Sequence, residues 1–555
     1  MVDLPAAVAN PAARHVQQRR ATEPRSLPQR EALLAAAVSA VVASLLLWLG
    51  PPGRDLAAHA YQREFFLNHG FMLWNNFWYA GRYSYVSYSL LYYPLAAVLG
   101  IAPLAVASIS AAGFGFAHVV VREWGASARW ASRGFALVWA CTVLSAAYPF
   151  GLGIALALLA LASLQRRALG RFGVLTALAL AASPLAFALL ALTLAAVCVA
   201  RRRRRSDLVA PAVTIAAFLV VEIVLRRLFP DGGRYPFPLG EFVAVCVFCV
   251  IGAALTIRIA HARVLTSLFV IYLLATTVAF AVPSSVGENI ARLRFAAIPI
   301  ALLTVSLRRW RPLLVSLVAL GLATSWNLSP LAANLVSGRN DPSANEEFWR
   351  PAIDFLKTHS SAAYRAEVVD TEGHWGAVYL PQAGIPVARG WFRQDDFPLN
   401  AILYRHFGKA SYLEWLRRLS VRYVVLPHGP LDYSARREAA LLRSGRSGLR
   451  VVWRGRSMTI FALPQPRPIV VGAHRANVLA VTPTRVRLRL SGPGRYRVAI
   501  RKSPYWHASH GCLSPTADGM LSLRVGRAGA VELRFSVTRD DLIETLAGKR
   551  DACRP

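Results

Sequence analysis

GPPGRDLAAHAYQREFFLNHGFMLWNNFWYAGRYSYVSYSLLYYP, residues 50–94, lies between two long apolar runs, and the reading of the whole chain turns on it. The stretch is too polar to lie in hydrocarbon and too aromatic for an ordinary solvated loop. One carboxylate, Asp55, stands just past a Pro-Pro-Gly break. If the residues after it are helical, Asp55 and His59 fall one turn apart, with Gln62 and Arg63 beside them. The result is a polar stripe that begins with an acid and sits at a membrane surface.

Outward from this stretch, apolar runs recur between residues 31 and 330, several of them about 17–25 residues long and able to cross a bilayer. The mean hydropathy of +0.40 over 555 residues is too high for a soluble enzyme of this size. The net charge of +34 would point to nucleic acid in a soluble chain. Here the arginines cluster between apolar runs, at Arg122, Arg129 and Arg133, at Arg166, Arg167 and Arg171, at 201–205, and at Arg308, Arg309 and Arg311. That is the pattern of cytoplasmic loops beside anionic lipid, and no nucleic-acid partner is expected.

Charge alternation predicts about eleven spans, at residues 33–49, 101–121, 135–148, 151–164, 174–182, 185–200, 208–228, 242–259, 264–282, 295–307 and 313–328. The fold class expected is therefore a polytopic α-helical membrane bundle followed by an exoplasmic α/β domain and a β-sandwich. Residues 1–30 read as a disordered cytoplasmic tail and 31–330 as the transmembrane domain with its exoplasmic loop 50–94. Residues 331–465 read as the α/β domain and 466–555 as the sandwich, whose strands alternate over 486–490, 496–500, 521–525 and 531–537. The protein is expected in the plasma membrane, multi-pass, with the N-terminus cytoplasmic and the C-terminal domains extracytoplasmic. Cys141, Cys198, Cys246 and Cys249 fall in apolar runs and read as core residues. Cys512 and Cys553 lie in the tail, where an oxidising compartment would let them pair.

Three exoplasmic loops bring ionisable groups to the membrane edge: Asp55, His59 and Arg63; Asp231, Arg234 and Glu241; Glu288, Asn289, Arg292 and Arg294. Charges so placed are costly unless paired or functional. An acid near arginines suits group transfer from a lipid phosphate. The carboxylate takes a proton from an acceptor hydroxyl while guanidinium groups hold the departing phosphate. The plainer alternatives are a helix cap for Asp55, a structural partner for His59, and headgroup anchors for Arg292 and Arg294. The aromatics between Trp74 and Tyr93 read first as an interfacial belt.

In the tail, EGHWGAVYLPQAGIPVARGWFRQDDFPLN (372–400) sets His374, Trp375, Trp391, Arg393, Gln394 and Asp395 close together. Ring stacking with paired hydrogen bonds suits a glycan; a packed domain interface is the competing account. SPYWHASHGC (503–512) has His507, His510 and Cys512 but no fourth ligand, and reads as a sandwich loop rather than a metal site.

At GRDLAAHAYQREFF (53–66) and LYYPLAAVLG (91–100) the chain resembles the GT-C superfamily of membrane glycosyltransferases. More narrowly, LRRLSVRYVVLP (416–427) and SPYWHASHGC resemble the tails of actinobacterial 6-pyruvoyl-tetrahydropterin-synthase-related membrane proteins. The resemblance implies an inverting transferase that moves a sugar from a polyprenyl-phosphate donor to a cell-envelope glycan or lipid acceptor on the outer face. It puts the general base at Asp55, the donor phosphate at Arg63, Arg292 and Arg294, and His59, Glu288 and Asn289 around them. His374, Trp375, Trp391, Arg393, Gln394 and Asp395 would hold the acceptor glycan. Many GT-C relatives carry a second acid after the first; here Leu56 follows Asp55, which argues against a metal-dependent site. No cofactor is expected beyond the lipid-linked donor as co-substrate, and a divalent metal is left open. The rival functions are a lipid or glycolipid transporter and a non-catalytic glycan-binding scaffold.

Overall fold

A computed structural model of the protein describes residues 27–201, 206–230, 232–339 and 341–548. Most of the expected tail 1–30, four residues of the 201–205 arginine run, Asp231 and Cys553 lie outside the described residues. Cys512 takes part in a disulfide.

Among the described residues, eight helices are long and apolar enough to cross a membrane. The first is α1 (Leu27–Leu49). Two shorter helices, α2 (Leu56–His69) and α3 (Tyr92–Leu99), flank the aromatic stretch. Then α4 (Ile101–Trp124) turns into α5 (Arg129–Ala140), the two forming one long helical stretch that runs on to Leu144. Next come α6 (Tyr148–Gln165), α7 (Leu169–Ala182), α8 (Pro184–Ala200) and α9 (Ser206–Leu228). The series ends with α10 (Leu239–Thr256), α11 (Arg263–Ala281), α12 (Ala297–Leu307) and α13 (Leu313–Gly338). Each of the eleven expected apolar segments contains helix, but 135–148 is broken at 145–147, 242–259 leaves the helix after Thr256, α7 and α8 are short, and α5 continues the stretch that α4 begins. The α7–α8 break has a local cause. Ser183 is extended and accepts a hydrogen bond from the Ala186 amide, while Pro184 fills the first helical position.

Beyond the helices the chain becomes strand-rich. A four-stranded sheet has the order β3-β4-β6-β5, with β3 (Arg365–Val368) parallel to β4 (Val421–Pro427) and antiparallel pairing onward to β6 (Met458–Ala462) and β5 (Arg450–Arg454). The helices α14 (Glu346–His359), α15 (Gly376–Gln382), α16 (Arg393–Leu399), α17 (Lys409–Arg418) and α18 (Arg436–Arg443) accompany it. Two more antiparallel four-stranded sheets follow, one ordered β12 (Cys512–Pro515), β13 (Met520–Val525), β10 (Gly494–Arg501), β7 (Val470–Gly472) and the other β11 (Trp506–Ala508), β14 (Gly529–Phe535), β9 (Arg485–Leu490), β8 (Ala476–Val481). In β9 (Arg485–Leu490) exposed arginines alternate with buried Val486, Leu488 and Leu490. These share one core with Tyr496, Val498 and Ile500 of β10 (Gly494–Arg501) and with Val531 and Leu533 of β14 (Gly529–Phe535).

The aromatic stretch is not an interfacial belt. Trp74, Trp78, Tyr79, Tyr83, Tyr85, Tyr92 and Tyr93 are buried in protein. A short hairpin, β1 (Trp74–Asn75) with β2 (Arg82–Tyr83), is clasped by the strand-rich part. Trp78 stacks on Tyr61 at 4.4 Å and donates its indole N–H to the Ala377 carbonyl at 2.8 Å. Trp74 stacks on Phe535 at 5.0 Å, and the Tyr79 hydroxyl donates to the Phe392 carbonyl at 3.0 Å. Aromatic rings with one polar atom serve an interface between two protein bodies as well as they serve a lipid surface. Here the strand-rich part supplies the apolar side.

Candidate functional site

Asp55 is positioned by backbone. Its amide donates to the Ser145 carbonyl at 3.0 Å, and the Arg54 amide to the Leu144 carbonyl at 3.3 Å, so the turn after α5 fixes both residues. Asp55 stands at the N-cap position of α2, yet its side chain makes no capping bond. The carboxylate instead lines a cavity of about 1010 Å³ between the helical and strand-rich parts.

The segment Gly287–Ala296, a 3-10 turn before α12, forms the facing wall. Gly287 has φ +43°, and a Cβ there would run into the Tyr235 carbonyl oxygen, so only glycine allows the two loops to touch. From this segment the Arg292 Nη2 comes within 3.8 Å of Asp55 Oδ2, with its guanidinium 5.4 Å from the centre of the Phe150 ring. Arg294 Nη1 lies 3.2 Å from Glu241 and 3.6 Å from Glu288. Glu241 also accepts from the Trp326 indole at 2.9 Å.

The opposite side belongs to the strand-rich part. Asp432, fully buried, is approached by three cations: Arg393, which donates to it directly, His374 Nε2 at 3.7 Å and Arg54 Nη2 at 3.7 Å. His374 Nδ1 is 3.3 Å from Asp370, which pairs with Arg389 at 2.9 Å; Arg389 in turn holds Asp396 at 2.6 Å. His374 sits at φ +56°, a costly conformation for a residue with a Cβ. Arg54 thus ties the start of the first loop to the strand-rich part.

The titration behaviour follows from this geometry. Burial raises the Asp55 carboxyl above the ordinary carboxylate range, against the downward pull of Arg292, Arg54, His374 and Arg393. A carboxylate so placed is a better base than an exposed one. Burial works against the charge on His374, but Asp370 and Asp432 outweigh it and raise its pKa. Burial pushes the Tyr88 phenol, also on the cavity wall, up to about 12.

Asp55, Glu288, Asn289, Arg292, Arg294, His374, Trp391, Arg393 and Gln394 all line the one cavity. Four expected site residues lie elsewhere. Arg63 donates to the Ala96 carbonyl at 2.8 Å and fastens α2 to α3. His59 is enclosed by Tyr88, Tyr92, Tyr93 and Tyr148, and burial lowers its pKa to about 3, so it is neutral. Trp375 is buried with its ring stacked on Tyr379 at 5.8 Å. Asp395 is buried against Arg82 at 2.7 Å, a pair that pins the β1–β2 hairpin. The interface account therefore holds for these last two and the cavity account for their neighbours.

Neither a protein-family model nor a curated protein matches this chain.

Sequence reasoning passed over Arg54, Tyr235 and Tyr433, which also line the cavity, and read Tyr88, on the same wall, as part of the interfacial belt. Arg54 was legible in principle, since it adjoins Asp55; the tyrosines carry no local signal. A second cavity, about 600 Å³ and mostly apolar, shares Phe150, Leu189 and Arg292 with the first. It follows α6 from Phe150 to Gln165, roughly 22 Å at the helical rise per residue. Among the described residues no group of three His, Cys, Asp or Glu is arranged to hold a metal ion. His507 instead meets Asp541 at 3.3 Å in the strand-rich part.

Proposed function

We propose that the chain is a polytopic membrane glycosyltransferase of GT-C type that moves a sugar from a polyprenyl-phosphate donor to a hydroxyl of an envelope glycan or lipid. In this reading about eleven segments span or enter the plasma membrane, the N-terminus is cytoplasmic, and residues 331–555 form an α/β domain and a β-sandwich on the outer face. The observation that carries it is the meeting of Asp55 and Arg292, 237 positions apart in the chain, at 3.8 Å in one large cavity.

Asp55 accepts the proton of the acceptor hydroxyl. The freed oxygen bonds to the anomeric carbon as that carbon's bond to the phosphate oxygen breaks, and the configuration inverts. Polyprenyl phosphate leaves with its charge met by Arg292, supported by Arg294. The apolar cavity along α6 suits an isoprenoid tail, because it joins the polar cavity at Arg292. His374, Trp391, Arg393 and Gln394 face the acceptor.

The test is transfer of labelled sugar from a synthetic polyprenyl-phosphate donor by purified protein. Asp55→Asn should lower turnover by about a thousandfold with its melting temperature retained. Sustained turnover in that variant rejects the role. The length of the apolar cavity also favours a second reading, lipid translocation. Labelled lipid crossing proteoliposomes with no glycosidic bond formed would support that instead.

A further inference from the structure

The charges around the cavity are unevenly shared. On the helical side Arg292 and Arg294 meet Asp55, Glu241 and Glu288, so acids outnumber bases. On the strand-rich side the linked set is Asp370, Asp396 and Asp432 against Arg54, His374, Arg389 and Arg393, with His374 held by two carboxylates that favour its charged form. Arg54, His374 and Arg393 converge there on the single carboxylate of Asp432, largely out of water: the side chains of Arg393, His374 and Asp432 are only 12%, 4% and 0% exposed. Unbalanced charge in such a place is costly unless a counter-charge arrives. Arg54, His374 and Arg393 all line the cavity, so the counter-charge has room to come from a ligand.

Position sharpens the point. Arg54 adjoins Asp55 in the chain and both line the cavity, so an anion at Arg54 and a hydroxyl at Asp55 share one space. The guanidinium of Arg393 stands 4.7 Å from the Tyr433 ring centre. The Trp391 indole N–H is buried with no hydrogen-bond partner among the described residues, and its residue faces the same space. A flat aromatic surface, an idle donor and a cationic fork are the parts that recognise an acidic sugar.

We propose that Arg54, His374 and Arg393 form a second anion-binding subsite, separate from Arg292 and Arg294, that selects an acceptor carrying a phosphate or carboxylate group. The role given to this ligand rests on the sugar-transfer reading; its binding does not.

Binding is therefore measured without donor and without turnover, on the full chain in detergent, by calorimetric titration with glucose, glucuronate and glucose 6-phosphate. One or both acidic sugars should bind about tenfold or more tighter than glucose, and the advantage should shrink as salt rises. Which of the two wins separates carboxylate from phosphate chemistry. Arg54→Gln, at a partly exposed position, removes one of the three cations at Asp432 and keeps Arg393 and His374 on it; it should abolish the advantage while the melting temperature stays within a few degrees. Equal binding of all three sugars overturns the subsite. So does an acidic-sugar advantage that survives Arg54→Gln but vanishes in Arg292→Gln, which would place the anion with the other arginines. Absence of sugar transfer in a separate assay would remove the transferase reading and leave this result standing.

Discussion

Asp55 stands at the N-cap position of α2 but makes no side-chain capping bond, which frees both carboxylate oxygens for the cavity. Because its pKa is raised, the base form fills at a higher pH than for an ordinary aspartate near 3.8. Turnover should therefore rise with pH through an acid limb displaced upward from that value. Arg292 pulls the same pKa down, so Arg292→Gln should carry the limb to still higher pH, whatever it does to the maximal rate. A pH–rate profile of both proteins checks the sign. Gly287→Ala should cost about tenfold or more in turnover with expression retained, since the new methyl forces the Arg292 segment away from Tyr235. At this scale the sequence showed the acid and Arg292, the arginine that meets it, because Pro-Pro-Gly and loop position are local signals. It misassigned Arg63 for an equally physical reason. Two turns beyond Asp55, that side chain reaches the Ala96 carbonyl in the last turn of a neighbouring helix.

The elements that hold the two halves together are aromatic. Trp78 is fully buried and touches Tyr61, Phe392 and the Ala377 carbonyl. Trp78→Ala should cost about 3–5 kcal/mol and expose the linkage near residue 340 to protease, as seen by limited digestion and a lowered melting temperature. Gly390 passes so close to this ring that a Cβ would lie 2.7 Å from its atoms. Most strands were legible within a residue or two. The expected strand at 496–500 is Gly494–Arg501, and that at 521–525 is Met520–Val525. Alternation and β-branched runs are local, so they survive without tertiary knowledge. Burial of the 74–93 aromatics was not legible, because Trp78 meets its acceptor 299 residues away and Tyr79 meets Arg501 after 422. An interfacial belt and a protein–protein seam draw on the same residue types.

Across the whole molecule, the Asp432 cluster couples the helical and strand-rich parts to pH. His374 has its pKa raised above 6.5, so its contribution is full below that value and is lost as pH climbs through the folded pKa. Asp432 has its pKa lowered despite burial, chiefly by His374 and Arg393; its contribution is full above about 4 and fades only in strong acid. The melting temperature should consequently fall between pH 6 and pH 9 by more in the wild type than in His374→Asn. Equal slopes in the two proteins would detach the cluster from docking. The clasp on the β1–β2 hairpin also bears on how the chain is made. Asn76 emerges from the ribosome 406 residues before Thr482, the carbonyl its amide binds. For most of synthesis the early tryptophans and tyrosines have no mate and need shelter from lipid headgroups or a chaperone. A nascent chain halted before residue 482 would present them bare to quality-control proteases, however well its helices had inserted.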